Sequence, residues 1–261
     1  MADAFYEDLG SGRFASTPAT AGPWSADAQH GGPPSALVTR AMERCEPDAG
    51  QRIGRVAVDI LRPVPVAPLD VRVRVVRPGR RITLLEAVAS SDGVEVVHGR
   101  AWRIATSPPG GEPPRVGDDV PPPPLPDPQP PIAWTGAFGD GYLAAVEWRF
   151  VTGGFEQRGP AKAWMRSPTP LVAGEETSAA CRVMVLADCG SGVSASLDAS
   201  RWLFLNVDLT VVLHRPPVGE WVLIDAVTTV DPGGIGLATT NLADQRGSIG
   251  TALQTLLVAA R

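Results

Sequence analysis

Residues 24–38 read WSADAQHGGPPSALV, and this stretch decides the fold of the first half of the chain. Proline is favoured at the first helical position, because a helix has no use for the N–H that proline lacks. Apolar side chains then recur at the spacing of one helix face, at Leu37, Val38, Ala41, Met42 and Cys45. The stretch therefore predicts a helix over residues 33–44 that begins directly after two glycines.

The predicted helix start has the character of an anion-binding site. Gly31 and Gly32 have no Cβ atom, so a ligand can approach their backbone closely. The first N–H groups of a helix lack partners within the helix, and the helix dipole makes that end positive. We therefore expect His30, Gly31 and Gly32 to contact a substrate or a developing oxyanion. The plainer alternative is a Gly-rich turn that only leads into a buried helix, with His30 hydrogen-bonded to its own loop.

Length, composition and charge exclude several classes of protein. The chain has 261 residues, of which 44% are hydrophobic and 20% charged, as in a globular protein. A net charge of -5 and scattered basic residues argue against a nucleic-acid partner. No apolar run reaches the roughly 18 residues of a membrane helix, so we expect no membrane span. The acidic N terminus does not resemble a signal peptide, and the cytoplasm is the expected location.

A Pro-rich segment divides the chain. Residues 108–131 contain 12 of the 27 prolines. Such a run cannot join a helix or a central strand, and it predicts an extended linker. We therefore expect an N-terminal domain over residues 1–107 and a C-terminal domain over residues 132–261.

The two halves follow the same order of predicted elements. Residues 58–63 read VDILRP, and residues 207–216 read VDLTVVLHRP. One helix pattern precedes each motif, over residues 33–44 and about 175–187. Three alternating strand patterns follow each motif, at 69–76, 82–89 and 94–104 in the first half and 221–229, 235–242 and 248–258 in the second. The predicted fold class is therefore α+β, with a helix against an antiparallel sheet in each half.

These motifs resemble the double hotdog acyl-CoA thioesterases, the family of type II acyl-CoA thioesterase. The resemblance rests on Gly22-Pro23-Trp24, His30-Gly31-Gly32, Asp59-Ile60-Leu61-Arg62-Pro63, Arg77-Pro78-Gly79-Arg80-Arg81 and His214-Arg215-Pro216. It extends over nearly the whole chain. It implies two tandem hotdog repeats, each with a long helix wrapped by an antiparallel β-sheet. It also implies an acyl-CoA substrate and a place in lipid metabolism.

The resemblance further implies which residues are catalytic. Asp188 ends an apolar helical run, where the family's helix carries an aspartate, and a carboxylate after a buried face needs partners. The family also uses a threonine on the strand after Arg-Pro and a glutamine on the last strand. These fall on Thr229, or on Thr228 if the register slips by one, and on Gln254. The alternatives are an exposed helix end for Asp188 and ordinary strand positions for the other two.

No other chemistry is indicated by the sequence. It has no nucleophile elbow, phosphate-binding loop or dinucleotide-binding turn. Its three histidines are far apart and its three cysteines have no metal-ligand spacing, so we expect neither a metal nor a cofactor.

The resemblance therefore implies hydrolysis of acyl-CoA to fatty acid and CoA by water that Asp188 activates. Two alternatives stay open. One is a non-catalytic acyl-CoA-binding or lipid-binding protein on the same fold. The other is a hotdog enoyl-CoA hydratase or dehydratase, an enzyme type that relies on an Asp/His or Glu/His pair in a helix. A homo-oligomer is compatible with each of these functions.

Overall fold

The computed structural model describes residues 3–108, 110–114, 116–117, 120–130, 132, 138–155 and 157–261. Within this part of the chain, thirteen strands form one sheet in which all neighbours are antiparallel. The elements in chain order are β1 (Tyr6–Gly10), β2 (Arg13–Ser16), α1 (Gly32–Arg44), β3 (Gln51–Ile60), β4 (Leu69–Arg77), β5 (Ile82–Ser91), β6 (Val94–Ala105), α2 (Tyr142–Ala145), β7 (Glu147–Gly154), β8 (Gln157–Arg166), α3 (Ala179–Ala187), α4 (Gly190–Val193), β9 (Trp202–Asn206), β10 (Asp208–Leu213), β11 (Val222–Val230), β12 (Ile235–Asp244) and β13 (Gly247–Ala260).

The two halves of the chain are joined through β3 and β10. These strands pair with Asp59 opposite Asp208 and Val56 opposite Val211. The order across the sheet is β1-β2-β4-β5-β6-β3-β10-β13-β12-β11-β8-β7, and β9 pairs with β13 outside this path. The motif that occurs once in each half therefore lies in two neighbouring strands in the middle of one continuous sheet.

The six strands predicted after the two Arg-Pro motifs are confirmed, with ends that differ by at most two residues. Their alternating pattern reflects burial of one face only. Along β12, for example, Ala238, Thr240 and Leu242 are buried, whereas Leu237 and Asn241 are exposed. Side chains two residues apart point to the same face of a sheet, so this period is set by the backbone itself.

The two predicted helices are present, but the second is shorter than predicted. It begins at Ala179 rather than near residue 175, because Ser178 Oγ accepts a hydrogen bond of 3.2 Å from the Cys181 N–H and caps it. α1 and α3 pack against each other in opposite directions. Cys181 Sγ near the start of α3 approaches the carbonyl of Ala36, and Ser178 reaches Glu43 near the end of α1. None of the helices in the described residues is long and apolar enough to cross a membrane.

The described residues of the Pro-rich segment belong to no helix or strand, and the part around residues 123–129 contacts β7 and β8. A guanidinium N–H of Arg149 donates to the carbonyl of Pro126 at 2.8 Å, and the indole N–H of Trp164 donates to that of Pro123 at 3.2 Å. Parts of the predicted linker (109, 115, 118, 119 and 131) and of the predicted C-terminal domain (133–137 and 156) lie outside the described residues. The division at 107 and 132 stays a prediction.

Candidate active site

Asp188 lies where the end of α3 meets the start of α1. Its side chain is only 3% exposed. Oδ1 accepts hydrogen bonds from Asn206 Nδ2 at 2.7 Å and from Gln254 Nε2 at 3.2 Å, and Oδ2 lies 3.0 Å from His30 Nδ1. Among the described residues it has no arginine or lysine partner. A buried carboxylate is thus held by two side-chain amides and lies beside an imidazole, with no lysine or arginine of the described chain to neutralise it.

Gln254 fixes the position of Asp188 from the sheet. It is buried on the inward face of β13, and its Nε2 also donates to the backbone carbonyl of Asp188 at 2.9 Å. Its Oε1 accepts the N–H of Ser191 at 2.9 Å, so both ends of the amide have partners. The structure therefore brings Gln254 next to Asp188.

Thr229, predicted as a catalytic residue, is not part of this cluster. On β11 the side chains of Val222, Ile224 and Ala226 face inward, and Thr229 falls on the opposite, exposed face. The alternative, Thr228, hydrogen-bonds with Ser194 Oγ at 2.7 Å and does not reach Asp188. The resemblance to the family places a threonine in β11, whereas the third polar neighbour of Asp188 comes from a different strand.

That partner is Asn206, which the sequence analysis missed. It ends β9, whose sequence is WLFLN, and lies on the same face as the buried Phe204. Its Nδ2 also approaches the Asp208 carbonyl at 3.3 Å, which orients the amide. The sequence does carry a signal for Asn206, because it follows Phe204 by two residues and so shares a strand face with a buried aromatic ring. A polar group on such an inward face needs a hydrogen-bond partner.

His30 is enclosed between Asp188 and Tyr142. Its ring stacks on the Tyr142 ring with centroids 3.8 Å apart and planes 10° from parallel. The Tyr142 hydroxyl donates to the carbonyl of Val185 at 2.6 Å, which ties α2 to α3. Burial lowers the pKa of His30, and the charge of Asp188 opposes that shift only in part. Tyr142 lies in the four-residue α2, which the sequence analysis did not predict.

Gly31 and Gly32 allow α1 to approach α3 closely. A Cβ atom on Gly31 would lie 2.8 Å from Asp188 Oδ2, and one on Gly32 would overlap the carbonyl oxygen of Val185. Glycine is thus required at both positions because α1 and α3 approach each other closely there. Their N–H groups nevertheless start α1 beside the carboxylate, so the structure brings His30, Gly31 and Gly32 together with Asp188 and Gln254.

The opposite end of the helix pair also carries a carboxylate. Glu43 Oε2 accepts from Ser178 Oγ at 2.6 Å and from the Cys181 thiol at 3.4 Å. Beside it, Glu175 takes paired hydrogen bonds from Arg40 and from Arg44. Each helix start therefore faces a carboxylate of the other helix, and only the Asp188 end combines it with two side-chain amides and an imidazole.

A metal centre is not apparent in the part of the chain that the structure describes. There, no three histidine, cysteine or acidic side chains lie close enough together to hold a metal ion.

Models of two known domains match most of the chain. The model described as the acyl-CoA thioesterase N-terminal domain matches residues 20–104, and the one described as the acyl-CoA thioesterase C-terminal domain matches residues 117–258. No curated protein matches the chain at a significant level.

Solved structures share the fold over nearly the whole chain. The tesB protein of Mycobacterium avium subs paratuberculosis is 19% identical, with a TM-score of 0.70 over 97% of this chain and 96% of that one. Acyl-CoA thioesterase II TesB2 of Mycobacterium marinum is 15% identical, with a TM-score of 0.67 over 98% and 95%. A protein of unknown function with a hot dog fold from Alicyclobacillus acidocaldarius is 19% identical, with a TM-score of 0.70 over 99% and 97%. The fold is therefore a hotdog fold.

Proposed function

The chain belongs to the type II acyl-CoA thioesterase-like family, and from this premise we propose that it hydrolyses acyl-CoA to a fatty acid and CoA. The observation that carries the proposal is the buried Asp188 carboxylate, which is held by Asn206 and Gln254 and lies beside His30 at the start of α1. Thioester hydrolysis needs a base for water and N–H donors for the oxyanion, and both types of group meet here.

The hydrogen bonds of Asp188 indicate which oxygen acts as the base. An ionised carboxylate has about four acceptor positions, two on each oxygen. Asn206 and Gln254 use both positions on Oδ1. Oδ2 lies 3.0 Å from His30 Nδ1 and accepts no hydrogen bond from the part of the chain that the structure describes. Oδ2 is therefore the oxygen left for a water molecule, and it is the atom that takes the proton.

The reaction then proceeds in two steps. Water attacks the thioester carbonyl carbon and gives a proton to Asp188 Oδ2, while the N–H of Gly31 stabilises the oxyanion. The N–H of Gly32 already donates to His30 Nδ1 at 3.1 Å. The C–S bond breaks in the second step. The departing CoA sulfur takes the proton from Asp188, which restores the carboxylate.

An apolar cluster next to the carboxylate is suited to the acyl chain. It lies apart from the main core and consists of Phe204, Ala238, Leu256 and Val258. Phe204 precedes Asn206 by two residues on β9, and Leu256 follows Gln254 by two on β13, so both continue the face that carries the polar site. The ring of Trp24 packs edge-on against Phe204 at 5.4 Å. We place the acyl chain along this cluster, with its thioester at Asp188.

Release of free CoA from acyl-CoA esters of short to long chain tests the proposal. Wild type is expected to hydrolyse at least one ester, and Asp188→Asn is expected to lower kcat by about 100-fold to 10,000-fold, as for loss of a general base. Glu43→Gln is the matched control, because Glu43 is the carboxylate at the other end of the helix pair. It is expected to keep kcat within about twofold. Binding of CoA esters without turnover would instead identify a non-catalytic acyl-CoA-binding protein.

One observation favours a second candidate, enoyl-CoA hydration. His30 and Asp188 form an Asp/His pair at 3.0 Å, the kind of pair on which hotdog hydratases rely. Here the two residues come from a loop and a helix end, and not from a single helix. Loss of the absorbance of a conjugated enoyl-CoA on incubation with the protein would establish hydration, and an unchanged spectrum would reject it.

We also propose that the chain is a double hotdog with two tandem domains, 1–107 and 132–261. The separate matches of the N-terminal and C-terminal domain models support this division. So does the single pairing of β3 with β10, which is the only strand pairing between the halves among the described residues.

A further inference from the structure

The apolar cluster beside Asp188 has a defined length. Asn206 and Phe204 lie two residues apart on β9, and their partners on β13 are Leu256 and Val258. A strand advances about 3.3 Å per residue, so Phe204 lies about 7 Å from Asn206 along the sheet. An extended hydrocarbon chain advances about 1.2 Å per bond, because three backbone bonds span at most about 3.6 Å. An acyl chain of about six carbons that starts at Asp188 therefore reaches Phe204, and one of about eight covers its ring.

Burial ends just beyond Phe204. Phe204 and its partner Val258 are each 8% exposed. The next pair along the same two strands is Trp202, which is 36% exposed, and Ala260, which is also exposed. A methylene group gains free energy only where it leaves water. Carbons that extend past Phe204 therefore add little to the binding of an acyl chain.

Trp24 lies at this far end of the cluster. Its ring packs edge-on against Phe204 with centroids 5.4 Å apart, and the guanidinium carbon of Arg261 lies 5.5 Å from its centroid. Arg261 directly follows β13, three residues beyond Val258, so both contacts lie on the side away from Asp188. A guanidinium group attracts the face of an indole ring, and Trp24 is thus held on two sides.

The loop that carries Trp24 is fixed at its base. The N–H of Gly22 donates to the carbonyl of Ala28 at 2.9 Å, and that of Gln29 donates to the carbonyl of Val64 at 2.8 Å. The loop then leads directly into α1. The first half of the chain therefore supplies both the start of α1 beside the carboxylate and the ring at the far end of a cluster that the second half forms.

We propose that Trp24, positioned by Arg261, is the end wall of the acyl site and restricts the substrate to acyl chains of about eight carbons or fewer. The substrate class rests on the proposed hydrolase function, because the length is counted from a thioester at Asp188. A longer chain has to displace a ring that is held by Phe204 and a guanidinium group, and it gains little burial in return.

Release of CoA from hexanoyl-CoA and dodecanoyl-CoA tests the wall. We expect wild-type kcat/KM to be at least about tenfold higher for the hexanoyl ester, and Trp24→Ala to raise the dodecanoyl-to-hexanoyl ratio by at least about tenfold. Arg261→Gln keeps the ring and removes the cation, so we expect the ratio to rise by about twofold to fivefold. A wild type that prefers the dodecanoyl ester, or an unchanged ratio in a folded Trp24→Ala, overturns the proposal.

Trp221→Ala is the matched control. The Trp221 ring also has guanidinium groups on its face, those of Arg149 at 4.5 Å and Arg166 at 5.1 Å, but it precedes β11 at the end that pairs with β8. We expect the ratio to equal that of wild type. A rise as large as in Trp24→Ala would show that loss of any such ring relaxes the fold, which rejects a specific wall.

Binding to Asp188→Asn separates the wall from hydrolysis. Calorimetric titration of this variant with the two intact esters measures affinity with the proposed base removed. We expect tighter binding of hexanoyl-CoA, and loss of this difference when Trp24→Ala is added. The same pattern in a wild type that hydrolyses neither ester would reject the hydrolase function and support the wall. Tighter binding of dodecanoyl-CoA to Asp188→Asn would overturn the wall, whatever the activity of wild type.

Discussion

The side-chain amide of Asn206 donates a hydrogen bond of 2.7 Å to Oδ1 of Asp188. The contact joins the last residue of β9 to the residue that follows α3. Together with Gln254 it occupies Oδ1 and directs the other carboxylate oxygen toward His30 and the start of α1. The amide of Asn206 therefore orients the proposed base.

Asn206→Leu keeps the size of the side chain and removes the amide. We expect kcat/KM to fall about tenfold to 100-fold, because a hydrogen bond to a charged group contributes roughly 1.5–3 kcal/mol. Thr229→Val is the control on an exposed strand position, and its kcat/KM is expected to match that of wild type. Steady-state kinetics on the preferred ester measures both variants. A larger loss of kcat/KM in Thr229→Val than in Asn206→Leu would instead assign a catalytic role to the threonine.

The stability of the fold is expected to depend on His30 in mild acid. Its pKa in the folded state is lowered by burial, so below about pH 6.5, where histidine in an unfolded chain is protonated, the unfolded state binds more protons. The free energy of unfolding should thus decrease as the pH falls from 7 to 5, by at most about 1.4 kcal/mol per pH unit from this group. Urea unfolding across that range should show a smaller decrease for His30→Asn. Parallel curves for the two proteins would contradict the assignment.

Gly190 and Gly192 lie in the same short helix and differ in the space around them. A Cβ atom on Gly190 would overlap Thr240 Oγ1 and lie 3.0 Å from Gln254 Oε1, whereas one on Gly192 meets nothing within 4 Å. We expect Gly190→Ala to lower both the melting temperature and kcat, because it displaces the amide that holds Asp188. Gly192→Ala should be neutral or stabilise by up to about 1 kcal/mol, as alanine restricts the unfolded chain. Equal melting temperatures would show that the sheet yields to the added methyl group.

Phe204 is expected to set the preferred acyl length. Phe204→Ala removes a buried ring from the apolar cluster beside the site, which opens space for additional methylene groups. Each buried methylene contributes roughly 0.8 kcal/mol, so kcat/KM for longer esters should rise relative to shorter ones by up to about 15-fold per added carbon pair. Leu253→Ala, on the exposed face of β13, is the control that should leave the profile unchanged. The same profile in both variants would place the acyl chain elsewhere.

Much of the local structure follows from short-range patterns in the sequence. The glycine–proline entry and the helical spacing of Leu37, Val38, Ala41 and Met42 predict α1 to within one residue. Alternating polar and apolar residues predict the six strands β4–β6 and β11–β13, because the alternation of side chains along a strand depends only on backbone geometry. The predicted start of α3 is too early, because the helix is limited by the single hydrogen bond of the Ser178 cap, which leaves no periodic pattern in the sequence.

The assembly of the site depended on the tertiary structure. His30 and Asp188 lie far apart in the chain and meet because α1 and α3 pack in opposite directions. Thr229 has the expected residue type, yet a shift of one residue along a strand moves a side chain to the other face of the sheet. Asn206 takes the place beside Asp188 because β9 pairs with β13, a long-range contact that no local pattern encodes. The sequence by itself determined the elements and several candidate residues, whereas packing between distant segments decided which side chains face one another.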